Sequence, residues 1–240
     1  MSVKFENRVV AFVDILGFKS EIHKAENDVE YLKEFSKLIE LLESSVDALD
    51  SGVRHKVPAE LIPKHIVISD SIVLSAPFSV EEHPWYDGLS IIAMRCIQLT
   101  HIFLSKGYLI RGGIAIGKTC HTDNNIYGSA FQEAYNFEKK LTPPCIALTK
   151  SAQVPEILAK YSNTFIDEGD HVRVNGLHDW YIDTKYVHGG IEDTYEDYQK
   201  TVDIYCAPEQ DDEIRVKWLK FNEYLQKARK DAEGYIKADG

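Results

Sequence analysis

The sequence predicts an α+β fold, one mixed β-sheet carrying helices, and three observations predict it. The first is the continuous apolar run Val9 to Val13, which reads as a strand buried on both faces. The second is a pair of apolar, β-branched runs, Ile66–Ile68 and Ile72–Leu74, separated by Ser69-Asp70-Ser71, the pattern of a hairpin. The third is that helical stripes at spacings of three and four separate these strands from later ones, so parallel and antiparallel neighbours share one sheet.

The elements follow in order. After the first strand, Tyr31, Phe35, Leu38, Leu42, Val46 and Leu49 mark one amphipathic helix from about Ser20 to Asp50. Segment 51–63, with Gly52, Pro58 and Pro63, is a connection, and the hairpin around Asp70 follows. Leu89, Ile92, Ala93, Cys96, Leu99 and Phe103 mark a second helix, stopped at Gly107. Tyr108 to Gly117 is a strand, and Lys118 to Asn125 a polar turn. A helix from about Ser129 to Leu141 ends before Pro143-Pro144, then a strand at Cys145–Leu148 and a short helix at Ser151–Tyr161 follow. Short strands are expected near 163–167, 171–175 and 179–183. The order β-α-β-β-α-β-α-β places the sheet in the ferredoxin-like class, with helices on one face.

From about Gly189 acids become dense, and Ile214, Trp218, Phe221 and Leu225 repeat at four, three and four. The chain therefore divides into an α+β domain, 1–188, and an acidic helical extension, 189–240, whose apolar stripe packs on its own core, the alternative being a partner-binding helix.

Net charge is −11, from 27 basic and 38 acidic residues, which argues against a nucleic-acid or anionic-membrane surface. Cys96, Cys120, Cys145 and Cys206 form no Cys-x-x-Cys pair and read as reduced thiols. No run approaches the 18 apolar residues of a membrane span, and the N-terminus has no signal core, so the expected location is cytoplasmic.

The chemistry starts at Asp14, a carboxylate closing a buried strand. Such a group needs a positive partner, a metal or a base, or else it caps the next helix. Gly17-Phe18-Lys19-Ser20 then turns the chain into a helix whose first N–H groups can face an anion. Asp70 sits at the hairpin turn, and Arg111 opens a buried strand. Ser-Asp-Ser is also ordinary turn chemistry, and an arginine at a strand end is also an ordinary salt-bridge partner.

Four blocks in order carry a family resemblance: Asp14-Ile15-Leu16-Gly17-Phe18; the strand-turn-strand at Asp70; Ile110-Arg111-Gly112-Gly113-Ile114-Ala115-Ile116-Gly117; and the helix block Tyr127 to Glu138. Together they resemble the class III nucleotidyl cyclases, over about residues 8–180. The resemblance implies that Asp14, Asp70 and the backbone carbonyl of Ile15 hold two divalent cations, Mg²⁺ or Mn²⁺. It implies that Arg111 faces the β- and γ-phosphates of a nucleoside triphosphate and that two chains form a homodimer with sites at the interface. Substrate-facing residues would be Leu16, Gly17, Phe18, Ile66, Asn125, Gln132 and Asn136.

The purine half of that pattern departs. Ile66 stands where purine cyclases carry Lys or Glu, Asn125 where they carry a second base-reading acid, Gln132 for the ribose Asn and Asn136 for the transition-state Arg. No Lys near Asn175-Gly176 matches the phosphate-binding one. The metal half is kept, which opposes decay into a non-catalytic module. The replacements resemble the bacterial pyrimidine cyclases of antiphage defence (Pycsar systems). That resemblance implies conversion of UTP to cyclic UMP, or alternatively CTP to cyclic CMP, and a separate cyclic-nucleotide-activated effector. A non-catalytic nucleotide-binding or protein-interaction module is the other reading. Gly112-Gly113 continues as Ile114-Ala115, which excludes a diguanylate cyclase motif.

Overall fold

Strand β1 (Glu6–Ile15) runs through the middle of the sheet, antiparallel to β3 (Ser71–Pro77) on one side and to β4 (Ile110–His121) on the other. The structure, a computed structural model, describes residues 3–54, 56–141, 144–178 and 190–238. Among these, β2 (Lys64–Ile68) extends the sheet beyond β3, and β6 (Ile146–Leu148), β8 (Val172–Val174) and β7 (Phe165–Asp167) extend it beyond β4. The β4–β6 pairing is parallel and the others are antiparallel, so the sheet is mixed. β5 (Ile126–Gly128) pairs back on β4.

Because β1 is central, both of its faces are covered. Val9, Ala11, Val13 and Ile15 pack with α2 (Tyr31–Ser51) and α3 (Gly88–Leu104) in the main core. Val10 and Phe12 face the other way and pack with Ala130 and Ala134 of α4 (Ser129–Glu138). Helices therefore lie on both faces of the sheet, not on one. The reason is local. A side chain at Gly113 would come within 2.4 Å of the Ala134 carbonyl, so the bare backbone of β4 is what lets α4 lie against the sheet.

Other boundaries also differ from the sequence expectation. The helix expected from Ser20 to Asp50 is two: α1 (Phe18–Asn27) and α2. Asp28 Oδ1 accepts the amides of Glu30 (2.9 Å) and Tyr31 (3.3 Å), which starts α2 afresh. The polar turn expected from Lys118 is strand as far as His121, because Thr119, Cys120 and His121 are all buried as β4 runs on to pair β5. The short helix after β6 is a 3₁₀ turn at Lys150–Ala152 and then α5 (Pro155–Lys160). The strand expected near 179–183 lies outside the described residues.

The C-terminal segment holds two helices, α6 (Ile191–Cys206) and α7 (Asp212–Ala238), packed as a hairpin. Tyr195, Tyr198 and Val202 of α6 and Trp218, Phe221 and Leu225 of α7 build a second core with Leu104, Leu109 and Leu177. His101 of α3 contacts the Tyr198 hydroxyl through Nδ1 at 2.9 Å, so a polar pair also joins the hairpin to the sheet layer.

Candidate active site

Three strands end at one place. Ser71, Asp14 and Arg111 are direct neighbours across β3, β1 and β4. The chain between Ile68 and Ser71 is a two-residue turn, Ser69-Asp70, with Ser69 held in the left-handed region at φ 58°. The turn folds back onto the end of β1, where the Ile15 amide donates to the Asp70 carbonyl at 3.3 Å. Asp70 is thus fixed beside Asp14 by backbone as well as by sequence.

The electrostatics of this corner are unbalanced toward negative charge. Ser71 Oγ donates to Asp14 Oδ1 at 3.1 Å, and Arg111 Nη2 lies 3.5 Å from Asp14 Oδ2. Arg111 Nε is also ion-paired with Glu138 at the end of α4, without an aligned hydrogen bond. Burial and the charges of Asp70 and Glu138 push the Asp14 carboxyl up to about 7, against the weaker pull of Ser71 and Arg111. Burial also raises Glu138, which is 3% exposed, while Arg111 and Lys139 draw it down. Asp14 and Glu138 thus share one guanidinium, with the charge of Asp70 acting on both.

Glu138 is a site residue that sequence reasoning passed over, although it was read as part of the helix block. Its signal was present: Ala130, Ala134 and Glu138 recur at four and four, which puts an acid on the buried stripe of α4. An acid in that position requires a cation, and Arg111 is the one it meets.

The turn after Asp14 divides its residues between different tasks. Gly17 takes φ 84° and starts α1. The Phe18 ring is 5% exposed and packs on Phe35 at 5.5 Å in the main core, so this residue can reach a ligand through its backbone alone. The Leu16 amide is already committed to the Leu109 carbonyl at 2.9 Å. The amides of Gly17, Phe18 and Lys19 remain as the open end of the helix.

The expected base- and ribose-facing residues do not join this cluster. Ile66 is half-buried on β2 opposite Val73, against the same apolar patch as Phe131. Asn125 is exposed in the β4–β5 turn, where Thr122 and Asn125 bond each other through backbone and hydroxyl. Gln132 and Asn136 are exposed on α4. Between Ile66 and these positions lies an aromatic group: Tyr135 meets Phe12 edge-on at 5.1 Å and stacks on Phe131 at 6.4 Å.

The donor set fits a hard divalent cation. Asp14 and Asp70 offer carboxylate oxygens, and the Asp14 carboxyl is raised first by burial and then by the neighbouring charges of Asp70 and Glu138, which a cation would offset. Among the described residues no three His, Cys, Asp or Glu side chains gather into a metal-ligand group. Two acids completed by backbone and substrate oxygens is the ligand economy of Mg²⁺-type sites.

No family model matches the chain, and no curated protein matches it in sequence. Solved structures do match it. The catalytic core of a rhodopsin-guanylyl cyclase with converted specificity, in complex with ATPαS, aligns with a TM-score of 0.51 at 15% identity, over 72% of this chain and 98% of that one. The adenylyl cyclase CyaB from P. aeruginosa aligns at 0.48 and 13% identity, over 72% and 94%. The adenylate/guanylate cyclase/hydrolase from Silicibacter pomeroyi aligns at 0.41 and 18% identity, over 72% and 96%. The chain has the α+β fold of a class III cyclase catalytic domain. Among the described residues no helix is long and apolar enough to cross a membrane.

Proposed function

We propose that the protein is a nucleotidyl cyclase that converts a pyrimidine nucleoside triphosphate, UTP in preference to CTP, to its 3′,5′-cyclic monophosphate and pyrophosphate. The observation that carries this reading is the junction of Asp14, the Asp70 turn and Arg111 at the ends of neighbouring strands. Asp14, Asp70 and the Ile15 carbonyl would hold two divalent cations, Mg²⁺ or Mn²⁺. Bound there, such cations lower the pKa of the attacking hydroxyl and neutralise charge on the phosphates. Arg111 turns from Glu138 toward the triphosphate, offering a planar donor set to the leaving group. The amides opening α1 bind phosphate oxygens without being moved during the reaction. Positioning and charge carry phosphoryl transfer of this kind.

A small base is supported by what lies on the sheet beside Ile66. Phe12, Phe131 and Tyr135 fill that face, and Ile66 offers no charge for reading a purine edge. Asn125 presents both donor and acceptor and suits either pyrimidine.

A second copy of the chain is the expected partner. α4 rests chiefly on β1, β4 and β5, with Ile66 of β2 at the edge of the same patch. Ile68 (43%), Tyr135 (39%) and Tyr127 (53%) are exposed there and on the neighbouring hairpin. The homodimer would bring Ile66, Asn125, Gln132 and Asn136 of one chain to the metal acids of the other. The product would act as a messenger on a separate effector in antiphage defence.

The test is incubation of the purified chain with each triphosphate and Mn²⁺, followed by identification of the product. Cyclic UMP is expected. Cyclic CMP as the main product corrects the base, cyclic AMP removes the pyrimidine reading, and no cyclic product from any triphosphate removes the enzyme reading. Mixing Asp70→Asn with Gln132→Ala chains, each inactive alone, is expected to restore part of the activity through one intact composite site.

A further inference from the structure

The loop that follows Asp14 straddles two separate cores. Ile15 and Phe18 belong to the main core under the sheet, whereas the Leu16 side chain between them packs on the core of the α6–α7 hairpin. Leu109 belongs to that second core as well, 4% exposed. Leu16 comes two residues after Asp14 and Leu109 two before Arg111, and the Leu16 amide bonds the Leu109 carbonyl at 2.9 Å. The hairpin thus touches both strands of the site just beyond their functional residues. It also reaches the turn before β4, where Tyr205 and Thr201 of α6 would meet a side chain placed at Gly107 at 3.7 and 3.8 Å. Tyr205 is itself held by parallel stacking on Trp218, 4.5 Å between centroids.

We propose that the α6–α7 hairpin is a positioning element of the active site, and that it acts through Leu16. The proposal rests on the cyclase reading above. Gly17 lets the chain reverse but does nothing to hold it, and two backbone bonds tie the loop at Ile15 and Leu16. Packing of Leu16 on the core that Trp218 and Phe221 help to build supplies the third constraint. That constraint fixes the Ile15 carbonyl and the Asp14 carboxylate relative to Arg111. Leu16 and Trp218 would be positioning residues, touching neither cation nor substrate, and their loss would loosen the cation site more than it loosens the fold.

The experiment is a titration of the full chain with Mn²⁺ alone, with free Mn²⁺ followed by electron paramagnetic resonance. Melting temperatures are measured on the same samples, and Asp14→Asn sets the background. Leu16→Ala and Trp218→Ala are expected to need about tenfold more Mn²⁺ for half-saturation, the loss typical when support of a metal ligand is removed. Leu16→Met, which keeps the bulk, is expected to stay within about twofold of the unaltered chain. Leu38→Ala, in α2 and the main core, serves as the stability control and is expected to lower the melting temperature without weakening Mn²⁺. The proposal falls if Leu16→Ala and Trp218→Ala bind Mn²⁺ as the unaltered chain does, or if Leu38→Ala weakens it as much. If Trp218→Ala does not fold, Leu16→Ala against Leu16→Met decides. An unaltered chain that binds no more Mn²⁺ than Asp14→Asn overturns the metal reading itself, and this inference with it.

Discussion

Asp14 and Arg111 face each other across the β1–β4 ladder, with Arg111 Nη2 3.5 Å from Asp14 Oδ2. The guanidinium is shared, because its Nε is held by Glu138 from the end of α4. On the proposed reading, these pairs would keep Arg111 near an incoming phosphate and partly neutralised until it arrives. The same arrangement makes Glu138 depend chiefly on Arg111, with Lys139 a lesser cation nearby.

Removing Arg111 should therefore cost stability as well as turnover. Arg111→Ala leaves Glu138 buried beside two other acids and is expected to destabilise the fold by roughly 3 kcal/mol. Arg111→Ala with Glu138→Gln should recover most of that loss in urea denaturation, while cyclisation stays low. Equal instability of the single and double variants would show that the pair is not coupled.

Asp14→Asn and Asp70→Asn should each lower product formation by at least about a hundredfold. Burial and two neighbouring acids already oppose the charge on Asp14, so Asp14→Asn is expected to melt no lower than the unaltered chain in metal-free buffer. Near-full turnover in either variant would end the two-cation reading.

Gly113→Ala should push α4 off the sheet, since its new carbon would stand 2.4 Å from the Ala134 carbonyl. A loss of about 2 kcal/mol or more is expected, together with displacement of Glu138 from Arg111. Gly52→Ala is the matched comparison. Gly52 already has helical angles, φ −74° and ψ −18°, and an added carbon would meet the Leu49 carbonyl only at an ordinary contact distance of 3.8 Å, so this change should be neutral or slightly stabilising. Thermal melts of the two variants decide.

Two buried histidines should make the fold acid-sensitive. Burial holds His101 and His121 down at about 4, from 6.5. His101 faces Tyr198 of α6 and the charge of His178, and His121 faces Arg8, Lys64, His65 and Asp123. An unfolded chain takes up protons below pH 6.5 that these folded sites refuse. Their contribution is therefore present above pH 6.5 and is lost as pH falls toward 4. For His101, almost fully buried, the loss is on the order of 3 kcal/mol. His101→Gln should flatten the decline of melting temperature between pH 6.5 and 4.5, and an unchanged slope would refute the assignment.

Much of this was legible in the residues. Val9–Val13 marked a strand buried on both faces, and Asp14 and Asp70 stood out as acids at the ends of apolar runs. What the sequence hid was tertiary. The burial of Glu138 depends on where α4 sets down on Gly113, a contact between residues far apart in the chain. The break at Asp28 was masked by the helical spacing that continues through it, although Asn27-Asp28 is cap chemistry. Helix α6 was lost among its own acids, which covered the stripe Tyr195, Tyr198 and Val202 at three and four. The place of Leu16 was invisible, because Trp218 and Phe221, which help to build the core it packs on, come some two hundred residues later.

The central place of β1 also sets a demand on synthesis. Its two partners are both made after it, β3 from residue 71 and β4 from residue 110, so the strand leaves the ribosome with neither edge paired. At translation rates of roughly 5–20 residues per second, the interval from Ile15 to Ile110 lasts about 5–20 seconds. For that time an apolar segment destined for the interior must be shielded by α2, by a chaperone, or by slowness of encounter with other nascent chains.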